Sequence, residues 1–331
     1  MTDAIRQKQQ WTRWFCLWCG LVCCALSAGS ARLAWGDSAP AKVEPLRPDA
    51  ERAYNYLLQI CRIGPRKSGS AGMAAQQHLL VERFSQMGAQ VAYQPFDAVD
   101  PVSGAPVRMN NLIVSWHPDR NERILIACHY DTRPYPDRDI FHRRGTFIGA
   151  NDGGSGVALL LELGHWLPKL NPRFGVDFIF FDGEELVYGD RGDYFLGSEY
   201  FSQQYRENPP RHRYHYGVLV DMVADRNLGI YIEKNSQKFA PQIVRSIWNA
   251  AGQVGVREFI PRTKHEVQDD HIPLNKTAGI PTCDLIDFDY PYWHTTKDIP
   301  ANCSGESLAK VGQVLLHWLT QLPDPPAAVN R

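Results

Sequence analysis

Apolar positions recur along the chain with two spacings. Over residues 50–61 the spacing is helical and sets Tyr54, Leu57, Leu58 and Cys61 on one face. Over residues 74–87 it does so again, with Leu79, Leu80, Phe84 and Met87 inward. Gly64-Pro65-Arg66 and Ser68-Gly69-Ser70 break the chain between these helices, and Gly88 ends the second. Short apolar runs then predict strands over 91–96, 111–116, 124–128, 176–181, 217–220 and 282–286. Helices are expected over 157–167 and over 308–319, where Val311, Val314, Leu315 and Trp318 face inward. Strands that are apolar throughout, separated by helices, must be covered on both faces. The expected fold is α/β, with a mixed, mostly parallel central β-sheet and helices on both faces. No internal repeat or low-complexity tract interrupts it.

The first 36 residues follow a different rule. Arg6, Lys8 and Arg13 precede an apolar run over 14–28, then the small residues Ala28-Gly29-Ser30-Ala31. Such a run falls short of the roughly 20 residues of a comfortable membrane span and suits an export signal. Residues 1–36 are therefore read as a signal peptide or N-terminal anchor, 37–48 as a linker and 49–331 as one catalytic domain. An exported protein, periplasmic or secreted, is expected, with no membrane partner beyond that segment. Of eight cysteines, Cys61, Cys128, Cys283 and Cys303 lie beyond the segment. They lack CxxC spacing, which argues against a cysteine zinc site, and one disulfide is plausible after export. The net charge of −1 over 331 residues gives no field for nucleic acid and leaves the oligomeric state open.

Polar residues cluster where the apolar strands end. His129-Tyr130-Asp131 follows the run 124–128, Asp182-Gly183-Glu184-Glu185 follows 176–181, and Asp221 follows 217–220. Ligands of open α/β sheets bind outside the carboxyl ends of the strands. Two loops add Asp152, in Gly149-Ala150-Asn151-Asp152-Gly153-Gly154, and His294, in Tyr292-Trp293-His294-Thr295. Each has a plain alternative: Asp152 as a helix cap, Glu184-Glu185 as an exposed turn, His129 and His294 as packed imidazoles, Asp221 as a strand-end cap. Taken together, an Asp, a Glu and two His make a ligand set that suits Zn²⁺. Adjacent glutamates allow one to bind metal while the other moves protons.

Asp152 in its glycine-rich turn, Phe180-Phe181-Asp182-Gly183-Glu184-Glu185, Gln268-Asp269-Asp270-His271-Ile272-Pro273 and Trp293-His294-Thr295 stand in one order. So arranged, and with Ile63-Gly64-Pro65-Arg66 and Cys128-His129-Tyr130-Asp131, the chain resembles the animal-type glutaminyl-peptide cyclotransferases. These belong to the zinc aminopeptidase-like M28 superfamily, and the resemblance spans about residues 50–320. It implies one zinc held by Asp152, Glu185 and His294, with Glu184 as proton shuttle. It further implies Asp221 and Asp269 as an acidic pair at the reacting groups, and Gln268 and Trp293 in the substrate pocket. The substrate would be the N-terminus of a peptide or protein. Two departures stand out. Animal members often carry a tryptophan shortly after the glutamate pair, a place that Tyr188 or Tyr194 would have to take. They also often pair the cysteine before the histidine motif, whereas Val157 stands where a partner for Cys128 would be. The competing reading is a di-zinc aminopeptidase of the same superfamily, with His129 and Asp221 holding the second ion. A non-catalytic binding module would show a damaged ligand set, and this set is intact.

Overall fold

The computed structural model describes residues 46–322. The predicted signal segment and residues 37–45 of the linker lie outside the described residues. In chain order the elements are α1 (Ala50–Ile63), α2 (Ala71–Gln86), β1 (Gln90–Val99), β2 (Pro106–Trp116), β3 (Glu122–His129), α3 (Ser155–Gly164), β4 (Gly175–Phe181) and α4 (Leu196–Glu207). There follow β5 (Arg213–Asp221), β6 (Ile230–Ile232), α5 (Lys234–Phe239), α6 (Pro241–Val254), β7 (Phe259–Thr263), α7 (His271–Lys276), β8 (Thr282–Ile286) and α8 (Gly305–Gln321).

The six-stranded sheet has the order β1-β2-β4-β3-β5-β8. Strands β4, β3, β5 and β8 run parallel, while β2 is antiparallel to both β1 and β4. The continuous apolar runs follow from cover on both faces. Ile124, Ile126 and Cys128 of β3 enter the larger core with Val176, Phe178 and Phe180 of β4, beneath α1, α3, α6 and α8. Their neighbours Leu125, Ala127, Ile179 and Phe181 enter the opposite core, with Phe201 of α4 and Leu274 of α7. Each fully buried Ile, Leu, Val or Phe among them contributes about 1.5–3 kcal/mol. At the amino ends of the strands Asp177 receives Arg123 bidentately, at 2.8 and 2.6 Å, and the Tyr214 hydroxyl at 2.6 Å. This buried pair is paired and hydrogen-bonded, as its burial requires.

The inward face of α1 differs from the predicted one. Ala53, Tyr56, Leu57 and Ile60 are buried, because the Tyr56 hydroxyl packs inward to meet His165 at 2.7 Å beyond α3. Tyr54 stays at the margin and donates to Pro300 O at 2.9 Å. Helix α2 starts three residues early because Ser70 caps it, its Oγ accepting from Met73 N. Cys61, Cys128, Cys283 and Cys303 are all free, so the disulfide expected after export is not formed among the described residues. No described helix is long and apolar enough to cross a membrane.

Candidate active site

The carboxyl ends of the parallel strands finish level, His129 opposite Phe181 and Asp221 opposite Ile286. The chain leaves β3 toward β4 on one side and returns to β5 on the other. Loops therefore part above β3 and β5, the switch point at which such sheets bind ligands. Asp152, Glu185 and His294 meet here, with ligand atoms within 4.8 Å of one another. His294 Nε2 lies 2.8 Å from Glu185 Oε1 and 3.5 Å from Asp152 Oδ2. All three are buried, and Asp152 Oδ2 has no hydrogen-bond partner among the described residues. A buried carboxylate oxygen without a donor is costly unless a cation meets it. Two carboxylates and an imidazole are the donors zinc takes in catalytic sites, so the residues fit that ion.

Each member is held from behind. Asp131 accepts Glu184 N at 3.1 Å and Glu185 N at 3.0 Å, one on each carboxylate oxygen, and so fixes the turn carrying both glutamates. Arg133 donates to Glu185 from its backbone N at 3.1 Å and from Nη1 at 3.4 Å. The same guanidinium binds Asp137 Oδ2 at 2.7 Å, and Asp137 Oδ1 lies 3.3 Å from His294 Nδ1. A carboxylate on one ring nitrogen directs the other at the metal. Asp298 accepts Asn151 N at 2.8 Å and Asp152 N at 3.1 Å, while the buried Arg66 donates to Ile148 O and Gly149 O. Gly153 has φ +75°, and a Cβ there would lie 2.3 Å from Asp131 O, so only glycine fits this turn. Asp152 does not cap α3, whose cap is Gly154 without a side-chain bond.

His129 stands on the other side of Asp152. Its Nε2 is 3.2 Å from Asp152 Oδ1 and 3.2 Å from Asp221 Oδ1, so the second-metal candidates are also brought together. Glu184 is outside the Asp152–Glu185–His294 group, with Oε2 3.8 Å from His129 Nδ1. Burial pushes its carboxyl well above the usual range, against the pull of His129. Burial does the same to Asp269, helped by the neighbouring Asp221 charge, and Asp221 is itself raised by burial.

These groups open into a cavity of about 490 Å³. Its apolar walls include Phe195, Met222, Val267, Phe288 and Trp293, with Gln268 exposed at the rim. The Trp293 ring lies 4.1 Å from that of His294 and 4.9 Å from that of Phe288. Of the two tyrosines, Tyr194 lines this cavity, and Tyr188 lines a neighbouring depression. Phe195, Met222 and His294 all have positive φ, at 64°, 48° and 57°, so strained backbone is concentrated around the cavity. Asp131, Arg133, Asp137 and Asp298, which hold the site, were not assigned from sequence. Asp131 had a signal in its place after an apolar strand, whereas Asp137 and Asp298 lie in loops without one.

Residues 111–319 match the model of peptidase family M28. A glutaminyl cyclase of Fimbriiglobus ruber is 40% identical, over 84% of this chain and 96% of that one, with a TM-score of 0.80. A Zn-dependent exopeptidase of Parabacteroides distasonis is 31% identical, over 84% of this chain and 99% of that one, with a TM-score of 0.78. The glutaminyl-peptide cyclotransferase of Bothrops jararaca is 27% identical, over 76% of this chain and 75% of its own length. With the family model spanning most of the chain, and a cyclase this similar over nearly its whole length, the protein belongs to peptidase family M28, in its glutaminyl cyclase branch.

Proposed function

We propose that the protein is a zinc-dependent glutaminyl-peptide cyclotransferase, closing the N-terminal glutamine of peptides to pyroglutamate with release of ammonia. The observation that carries this reading is Glu184, a buried carboxyl left outside the Asp152–Glu185–His294 group yet facing the same apolar-walled cavity. Similarity to cyclases supports the branch. Asp152, Glu185 and His294 would hold one zinc, which when bound supplies Lewis acidity toward the γ-carbonyl oxygen.

The chain's own residues do the rest. The glutamine side chain enters the cavity against the wall formed by Trp293 and Phe288, which exclude water from the reacting atoms. Asp221 and Asp269 face the α-amine and the departing amide nitrogen. The α-nitrogen forms a bond to the γ-carbonyl carbon, and the bond from that carbon to the amide nitrogen breaks. Glu184 takes the proton lost by the attacking amine and delivers it to the leaving nitrogen, which departs as ammonia. A carboxyl whose pKa is raised by burial suits both halves of that transfer. Holding amine and carbonyl in contact can remove about 7–11 kcal/mol of the barrier, so no water need be activated.

The second reading is a di-zinc aminopeptidase, favoured by the closeness of His129, Asp152 and Asp221. Ammonia release from Gln-peptides, with no amino acid released from Leu- or Ala-peptides, together with one zinc per chain, supports the cyclase. Two zinc ions and free amino acids would replace it with the peptidase. Export of the catalytic domain, residues 49–331, belongs to the same proposal and is tested by fractionating cells that express the full chain.

A further inference from the structure

Beside the catalytic cavity lies a second depression of about 400 Å³, between the loop after β3 and the segment after Glu185. Tyr135 and Tyr188 form aromatic sides, their ring centroids 5.9 Å apart, and Arg143, Arg144 and Arg191 form charged ones. None of these three guanidinium groups has an ion-pair partner among the described residues. The acid in the wall, Asp137, is already taken by Arg133 at 2.7 Å and His294 at 3.3 Å. Of the acids nearby, Asp100 accepts the Tyr188 hydroxyl at 3.1 Å, and Asp190 and Asp193 are exposed outside the lining.

One guanidinium separates the groove from the cavity. Arg133 Nη2 donates both to Asp137 Oδ2, in the groove, at 2.7 Å and to the Tyr194 hydroxyl, in the cavity wall, at 3.1 Å. Because one nitrogen reaches both walls, Asp137 Oδ2 and the Tyr194 hydroxyl lie no more than about 6 Å apart, a gap that an extended peptide at about 3.3–3.6 Å per residue crosses in about two residues. The turn carrying Arg143 and Arg144 is also held in place. Asp139 accepts Phe141 N at 3.0 Å, His142 N at 2.9 Å and Thr296 N at 3.0 Å, and Thr296 follows closely on His294.

We propose that this groove is a subsite for carboxylates that follow the N-terminal glutamine, which makes the protein selective for peptides acidic near their N-terminus. The proposal rests on the cyclase reading and names its substrate class. Cations without partners beside aromatic walls attract carboxylates, and Arg receives them with two parallel donors.

The test uses the full chain loaded with zinc and the amidated peptides Gln-Ala-X-X-Ala, with X as Glu, Ala or Lys, followed by ammonia release. The Glu peptide is expected to exceed the Ala peptide roughly five- to tenfold in kcat/KM, through KM, as for two partly exposed ion pairs. The advantage should shrink as salt is raised. In the double variant Arg143→Glu/Arg144→Glu the order should invert in favour of Lys, an outcome that misfolding cannot imitate. A short Gln-Ala-Ala peptide with a free rather than amidated C-terminus reports whether a terminal carboxylate is taken as well as a side chain. Equal kcat/KM for the three peptides, with ammonia released from all, overturns the subsite and leaves the cyclase standing. If no peptide releases ammonia, the cyclase reading fails. Calorimetric binding of the Glu peptide, lost in the double variant, then supports the groove alone, and its absence in the parent overturns it.

Discussion

Asp131→Asn changes one oxygen to an amide nitrogen at a fully buried position. In the parent, Oδ1 accepts Glu184 N at 3.1 Å and Oδ2 accepts Glu185 N at 3.0 Å. Whichever way the new amide turns, one backbone N–H must face an NH₂ donor. The loss combines a hydrogen bond to a charged acceptor, worth about 1.5–3 kcal/mol, with a buried donor left unsatisfied, at about 1–3 kcal/mol. Since the two overlap, we expect about 2–4 kcal/mol of destabilisation. In a domain of this size that lowers the melting temperature by roughly 4–16 °C. The same turn aims both glutamates, so kcat should fall together with stability. Calorimetry with and without chelator, beside ammonia release, reads both. A variant that melts within about 2 °C of the parent and keeps the parent kcat would refute the reasoning, because the turn would then be held by something else.

Glu184→Gln should cut kcat by about 10²–10⁴-fold while zinc content is unchanged; full activity would end the proton-transfer role. His294→Ala should lower the metal recovered after dialysis, and unchanged occupancy would remove it from the ligand set. Asp137→Asn should weaken zinc binding by about 10–100-fold in a chelator competition, since it orients the His294 ring. For Glu233, burial pushes the carboxyl up, but the His271 ring 3.4 Å away and bonds from three backbone N–H groups prevail and lower it from 4.5 to about 2. A depressed carboxylate pKa contributes stability above the unfolded value and loses it as pH falls toward the folded one. Glu233→Gln should therefore destabilise at neutral pH, and its deficit should close between pH 4.5 and about 2. A deficit independent of pH in denaturant melts would contradict this.

The parallel centre of the sheet was legible because burial on both faces leaves an unbroken apolar run, and β8 was placed at its observed bounds, Thr282–Ile286. The residues at those strand ends were legible for the same reason, since polar side chains directly after a buried run have one crevice to face. Helix α4 leaves no signal in the sequence because only Gly197, Ser198, Phe201 and Ser202 of its twelve residues are buried, which gives no apolar stripe. The six-residue helices α5 and α7 are too short to show a period. Helix α6 carries a readable stripe, with Ile243, Val244 and Ile247 on one side. What sequence could not give was the scaffolding behind the ligands. Arg133 serves Glu185, Asp137 and Tyr194 at once, and such sharing depends on the folded paths of three separate segments.

The left-handed backbone at Phe195, Met222 and His294 has a consequence for engineering. Glycine at the half-buried Phe195 would relax the backbone and remove a side chain that shapes the cavity. At the fully buried Met222 lost packing outweighs the relief, and at His294 the imidazole itself is the proposed ligand. A screen for heat resistance alone would therefore drift at Phe195 toward proteins that outlast the parent and no longer grip a substrate. Thermostabilised descendants of this chain should keep Phe195 as a bulky residue wherever selection also demands turnover.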